Sequence, residues 1–240
     1  MRYFGGKGKT FQQLINLMPP HEVYIETHLG GGSVIINKRL ARRNIGIEID
    51  PKVLNLWSEE EKRPEIEFIQ KDAVVFLKKY QFQGNEFVYC DPPYLRETRR
   101  NSKRKYYRFE YTVEQHLELL EVIKTISGMV MISGYESEMY KEKLKGWRTH
   151  KFQSAVRGGV NTEWVWMNYP DPVKLHDYSF LGNDFRKREK LKKIKANWLS
   201  KLKRMPVLER EALLYAMHSE NWFVDDLTAD KAVEDFSFNN

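Results

Sequence analysis

The chain has 240 residues, 41% of them hydrophobic and 30% charged, with a formal net charge of +7. That is room for one sizeable domain and an appendage, and no apolar run approaches the ~20 residues of a membrane-spanning helix, so no membrane partner is expected. The opening Met1-Arg2-Tyr3-Phe4-Gly5-Gly6-Lys7 lacks a signal-peptide pattern, and the lone Cys90 can close no internal disulfide, which together point to a reducing, cytoplasmic setting. The six histidines are scattered without ligand spacing, and no metal is expected.

In chain order, a helical pattern runs from about Phe11 to Met18 and is stopped by Pro19-Pro20. Val23 to Glu26 reads as a strand, followed by a glycine turn at Gly30-Gly31-Gly32. The spacing predicts a helix from Ser33 to Arg42, with Val34, Ile35, Ile36 and Leu40 facing inward. Ile45 to Ile49 reads as a strand, Pro51 to about Glu60 as a helix, Ile66 to Ile69 as a short strand and Asp72 to Tyr80 as a helix. Residues 86–90 form the next strand, and a helix capped by Thr112 runs until Gly128. Met129 to Ser133 is a strand and Ser137 to Leu144 a helix. Two last strands, about 147–155 and 162–169, pair as a hairpin around Gly158-Gly159.

This alternation predicts an α/β fold: a doubly wound, mostly parallel, seven-stranded Rossmann-like sheet with one antiparallel strand. Pro170-Asp171-Pro172 marks the expected boundary between a domain over 1–170 and an extension over 171–240. In the extension, Leu191, Ile194, Trp198, Leu202 and Met205 make one stripe on a basic helix that Pro206 ends. A second short helix covers 207–217, and 219–240 reads as a loose acidic tail.

The chemistry gathers at strand ends. Asp91-Pro92-Pro93-Tyr94 follows the apolar run Phe87-Val88-Tyr89-Cys90, which delivers Asp91 to the carboxyl end of its strand, the usual place for ligands in an open α/β sheet. Two prolines hold the backbone extended and remove two N–H donors. A carboxylate, an outward carbonyl and an aromatic ring in succession make a receptor for a planar group bearing –NH2, such as adenine or cytosine. Asp91, Pro92 and Tyr94 are therefore the candidate catalytic residues. A surface loop is the bland alternative for these four letters alone.

Glu26 and the turn through Gly30 and Gly32 allow close backbone approach to a ligand. Glu48 ends the second strand, where an acid binds ribose hydroxyls in doubly wound folds. Asp72 ends the third strand and can meet an adenine edge. A GxGxxG fingerprint fails because position 35 is Ile, and a P-loop fails because position 3 is Tyr. An adenosine ligand without a pyrophosphate fits better, and S-adenosyl-L-methionine is the natural candidate.

The charge is concentrated. Segment 95–111 holds seven Lys/Arg against two acids, and segment 184–205 holds ten against two, leaving the remainder net acidic. Two basic blocks on an acidic body suggest a polyanionic partner, although such runs are often solvated faces. Arg96, Arg99, Arg100, Lys103, Arg104 and Lys105 are expected to bind phosphates as a group, with Lys9 and the hairpin residues Arg157 and Asn161 added.

The order Tyr3-Phe4-Gly5-Gly6-Lys7, then Glu26 and Gly30-Gly31-Gly32-Ser33, then Glu48, then Asp91-Pro92-Pro93-Tyr94 resembles the D12-class adenine-N6 DNA methyltransferases, of the DNA adenine methylase type, over roughly residues 1–170. The resemblance implies a methyl-donor site that includes Tyr3, Phe4, Lys7, Glu48 and Asp91. It implies methylation of adenine N6 in double-stranded DNA, in a restriction–modification or phage setting, by a monomer or weak dimer. RNA adenine or cytosine-N4 methylation, and an inactive DNA-binding relative, are the alternatives. Where the family often has Pro-Phe after the first acid, this chain has Thr27-His28. The usual helical recognition domain between the second and third strands has no room between Asp50 and Asp72. Recognition is expected from the 95–111 loop, the hairpin or the 184–205 helix.

Overall fold

The computed structural model describes residues 6–8, 10–60, 63–156, 159–182 and 184–219. Tyr3, Phe4, Lys9, Arg157 and the acidic segment 220–240 lie outside the described residues. In chain order, α1 (Phe11–Ile15), β1 (Val23–Glu26), β2 (Arg43–Glu48), α2 (Pro51–Glu60) and β3 (Ile66–Gln70) are followed by α3 (Ala73–Lys79), β4 (Glu86–Cys90) and α4 (Val113–Lys124). Then come β5 (Met129–Gly134), α5 (Glu138–Lys143) and the hairpin of β6 (Arg148–Val156) and β7 (Gly159–Met167). The strands form one sheet in the order β3-β2-β1-β4-β5-β7-β6. Strands β1 to β5 pair in parallel, and β7 alone runs antiparallel to its neighbours β5 and β6. The expected seven-stranded sheet with one antiparallel strand is the one found.

Every residue of β1 and β4 is buried, as central strands covered on both faces must be. Their side chains alternate between two cores. Ile25, Val88 and Cys90 pack with Leu119 and Ile123 of α4, whereas Tyr24, Phe87 and Tyr89 pack with Leu14, Ile15 and Trp57 on the other face. Cys90 is fully buried, and burial, only partly offset by Thr27, pushes its thiol up to about 12. It is a core residue and a poor nucleophile. The α4 helix starts on a capping box in which Thr112 and Gln115 bond each other's backbone N–H.

One expectation is corrected. Residues 33–38 form irregular turns in place of the helix read over Ser33–Arg42. The run Val34-Ile35-Ile36 is β-branched and a poor helix former; the Ile35 N–H, which a helix starting here would leave unpaired, donates to the Glu26 carboxylate at 3.0 Å. Val34 and Ile35 are buried as expected, but Leu40 is exposed. The first compact unit runs to Phe180, and Pro170-Asp171-Pro172 lies within it. His176 stacks on His21 at a ring-centroid distance of 3.8 Å, its N–H donates to the Met18 carbonyl, and Asp177 accepts from the Arg39 N–H. These bonds hold the stretch after Pro172 on the first unit.

The second unit, from Leu181, contains α6 (Phe185–Arg204) and α7 (Val207–Ser219). Asp184 caps α6 by accepting from the Lys187 N–H, and its last turn is basic, which complements the helix dipole. Neither helix buries a residue. The predicted stripe is present on α6, with Leu191 and Leu202 half-buried and Ile194 and Trp198 exposed.

Candidate active site

The chain runs from β1 toward β3 on one side and from β4 toward β5 on the other, so the sheet reverses direction of build between β1 and β4. A crevice opens at the carboxyl ends of strands at such a switch point. Here it is a cavity of about 580 Å³, within the usual range for a cofactor or substrate site. Its walls include Lys7, Glu26, Gly30, Gly32, Glu48, Asp72, Asp91, Tyr94 and Asn161. Residues far apart in sequence are thus brought to one place.

On the β1–β2 side the turn is built around two glycines with positive φ, Gly30 at 47° and Gly32 at 53°. A Cβ on Gly32 would meet the Trp57 ring at 2.2 Å, and the Trp57 indole N–H donates to the Gly30 carbonyl at 2.8 Å. The Glu48 carboxylate accepts from the Gly30 N–H through Oε2 and from the Asp50 N–H through Oε1, each at 2.9 Å. One acceptor position on each oxygen remains for a ligand hydroxyl. Asp72 caps α3 by accepting from the Val75 N–H through Oδ1 at 2.9 Å, which leaves Oδ2 for another donor. Glu26 lines the cavity, but its Oε2 already accepts from the Tyr24 hydroxyl and the Ile35 N–H. Burial raises its pKa to about 8, so it braces the turn as much as it faces a ligand. His28 is bonded to the Thr27 hydroxyl at 2.8 Å and to the Tyr111 hydroxyl at 2.9 Å, and burial lowers its pKa to about 3. It is a neutral turn residue at physiological pH.

On the β4 side the Lys7 ammonium donates to both oxygens of Asp91 at 2.7 Å. Glu163 stands 3.6 Å from the same ammonium and accepts from the Tyr94 hydroxyl at 2.9 Å. Burial opposes the charge on Lys7, but Asp91 and Glu163 outweigh it and hold the ammonium above the ordinary lysine value. Burial holds the Asp91 carboxyl above the usual carboxylate value although Lys7 pulls it down; Glu163 is held below that value because Lys7 and hydrogen bonds from Ser154 and Tyr94 together outweigh its burial. Tyr94 packs edge-on against Tyr135. Asn161 donates to the Tyr135 hydroxyl at 2.9 Å, so its side chain turns into the cavity instead of out along the hairpin.

Glu163 was outside the expected set. Its signal lies in the alternation of β7, where an acid shares a face with the core residues Val165 and Met167. A carboxylate on a buried face needs a cation or a donor, and Lys7 and Tyr94 meet that need.

The 95–111 segment closes the cavity from above. Arg99 and Glu110 form a buried pair, with hydrogen bonds of 3.0 and 2.7 Å, and Glu110 also accepts from the Tyr106 and Tyr107 N–H groups. Arg99 donates as well to the Tyr94 carbonyl. This guanidinium is bonded within the loop itself. Arg108 reaches Asp50 at 3.1 Å, and Arg100, although exposed, donates to the Val160 carbonyl at 3.1 Å. Arg96, Lys103, Arg104 and Lys105 are exposed.

Residues 41–157 match the family model of the D12 class N6 adenine-specific DNA methyltransferases. This D12 match spans β2 to the hairpin and includes Asp91-Pro92-Pro93-Tyr94; it is narrower than the 1–170 stretch over which the resemblance was read. On this match the chain is an S-adenosyl-L-methionine-dependent methyltransferase, and S-adenosyl-L-methionine is its methyl donor. No curated protein matches the chain significantly. Solved structures similar to it include the magnesium protoporphyrin IX methyltransferase of Synechocystis with bound S-adenosylmethionine, at 12% identity and a TM-score of 0.45, covering 68% of this chain and 79% of that one. TrmK of M. capricolum with S-adenosylhomocysteine is 10% identical at a TM-score of 0.43, covering 88% and 96%. An rRNA methylase of Streptococcus thermophilus is 12% identical at 0.43, covering 65% and 93%. None of these bears on the substrate of this chain. No helix among the described residues is long and apolar enough to cross a membrane.

Proposed function

We propose that this D12-type chain transfers the methyl group of S-adenosyl-L-methionine to N6 of a flipped-out adenine in double-stranded DNA. The observation that supports it most is the Asp91 carboxyl at the end of β4, held through both oxygens by Lys7 and opening into the cavity.

The bound donor supplies an electrophilic methyl group on a sulfonium. The rest is position and electrostatics. The adenine amino lone pair is delocalised into the ring, which makes N6 a weak nucleophile. Asp91 accepts one amino hydrogen and the Pro92 carbonyl the other, so that the lone pair is localised for in-line attack. Tyr94, anchored by its hydroxyl to Glu163, presents its ring to the base. Glu48 takes the ribose hydroxyls of the donor, the Gly30–Gly32 turn admits close backbone approach, and Asp72 meets its adenine edge. Flipping the target costs a few kcal/mol in unstacking. Phosphate contacts from Arg96, Arg100, Lys103, Arg104 and Lys105 offset that cost. With α2 filling most of the connection between β2 and β3, sequence recognition falls to the 95–111 loop and the hairpin.

The test is expression in a host that lacks adenine methylation, followed by modification-sensitive long-read sequencing of its DNA. N6-methyladenine at one short motif is expected. Soluble protein that binds the methyl donor yet leaves the DNA unmarked would overturn the assignment.

A further inference from the structure

Three buried charges meet at the floor of the cavity, and only two of them are needed by the chemistry above. Lys7 sits on both oxygens of Asp91 at 2.7 Å. An ammonium in that seat competes directly with the amino group that Asp91 is to receive. A buried ammonium cannot simply withdraw, because a desolvated charge without a counter-ion is costly. Glu163 offers the counter-ion. Its Oε2 is 3.6 Å from Lys7 Nζ, its side chain is 10% exposed, and it is anchored on the central stretch of β7. The ammonium also lies 5.0 Å from the centroid of the Tyr94 ring, whose hydroxyl donates to the same Glu163 oxygen.

We propose that Glu163 is a positioning residue that provides a second anionic seat for Lys7, so that the ammonium shifts from Asp91 toward Glu163 when the target amino group arrives. The shift is small, from a 2.7 Å hydrogen bond on Asp91 to one of similar length on Glu163, now at 3.6 Å. The charge of the cluster is unchanged throughout. Asp91 regains lone pairs for the substrate, and Tyr94 stays tied to Glu163 at the edge of the base. The inference rests on the methyl-transfer reading, yet the two carboxylates and the lysine can be tested without DNA.

The experiment compares the wild type with Glu163→Gln, which keeps an oxygen acceptor for Tyr94 and removes the charge, and with Glu163→Asp, which keeps the charge. Thermal melts establish that each variant is folded. In Glu163→Gln the turnover number is expected to fall roughly tenfold to a hundredfold, while KM for DNA and Kd for the methyl donor stay within about threefold. Removing the Glu163 charge also removes a repulsion from Asp91, so the acid limb of the rate profile moves to lower pH even as the rate drops. Glu163→Asp restores part of the turnover. A 13C carboxyl titration of Asp91 in the free protein follows the same downward shift with no substrate present. A Glu163→Gln enzyme with unchanged turnover would overturn the proposal, as would a loss of turnover with an unmoved acid limb and an unmoved Asp91 titration. A lowered Asp91 titration in Glu163→Gln, with a wild-type protein that methylates no DNA, would refute the proposed function and leave the Lys7–Glu163 linkage standing.

Discussion

Lys7 and Asp91, 84 positions apart in sequence, form a bidentate pair in which the ammonium lies 2.7 Å from each carboxylate oxygen. The pair sets the charge state of the candidate catalytic group. Replacing Asp91 with alanine is expected to lower the turnover number by roughly 10²–10³-fold or more, the scale seen when one preorganised transition-state interaction is removed. DNA affinity should remain within a few-fold, as followed by gel shift. Lys7→Met removes the cation that opposes the burial of Asp91, so the carboxyl keeps its proton to higher pH. The acid limb of the rate profile should then move upward, opposite to the shift expected for Glu163→Gln.

The Arg99–Glu110 pair predicts a structural effect instead of a DNA-binding one. Removing one partner of a buried ion pair leaves the other charge uncompensated, typically at roughly 3–5 kcal/mol. Arg99→Ala should therefore lower the melting temperature and expose the 95–111 segment, with its seven Lys/Arg, to limited trypsin digestion. Arg99→Lys should rescue only part of this, because an ammonium cannot reproduce the two-pronged bond to Glu110.

The exposed residues Arg96, Lys103, Arg104 and Lys105 should behave differently from Arg99. Neutralising them is expected to flatten the salt dependence of DNA binding by up to ~0.9 in slope for each phosphate that is no longer neutralised, without a change in melting temperature. Binding isotherms over a range of salt concentrations measure this. An unchanged slope would mean that the face is solvated only.

At the β1 turn, Gly32→Ala places a methyl group 2.2 Å from the Trp57 ring and imposes a φ of 53° on a residue with a side chain. The strain is of order 1–3 kcal/mol before the clash is relieved. Lower stability and weaker binding of the methyl donor are expected together, read from melts with and without the donor.

Acid should unfold the protein through buried histidines. Burial lowers His21 to about 2, His28 to about 3 and His116 to about 4, so all three are neutral in the fold, whereas the unfolded chain protonates them near 6.5. Below that pH the unfolded state binds more protons than the folded one, and stability falls as pH falls. Each histidine contributes a slope of about 1.4 kcal/mol per pH unit once the unfolded chain is fully protonated, down to its own folded pKa. Denaturant midpoints between pH 6.5 and 4 should show this, and His116→Gln should remove only its own share of the slope, with His21 and His28 keeping theirs.

Much of the architecture was legible in local patterns. The apolar runs at Val23, Ile45, Phe87 and Met129 are strands because central parallel strands are buried on both faces and read as continuous hydrophobic stretches. The helix read over Ser33–Arg42 failed because Val34-Ile35-Ile36 is a β-branched run, and the i→i−4 bonds from Ile36 to Gly32 and from Lys38 to Val34 are interrupted by the tighter bond from Asn37 to Val34. The stacking of His176 on His21, by contrast, depends on a long-range pairing that no local pattern contains.

The sequence by itself determined the alternation of strands and helices, the glycine turn, and the delivery of Asp91 to a strand end, since each depends on neighbours within a few residues. Only the tertiary structure decided that Lys7 sits on Asp91, that Glu163 belongs to the site, and that Arg99 closes the loop on Glu110 while Arg104 stays exposed. A charge is legible as a letter, but its partner is set by which strands the sheet places side by side, and by the low polarity of the place where they meet.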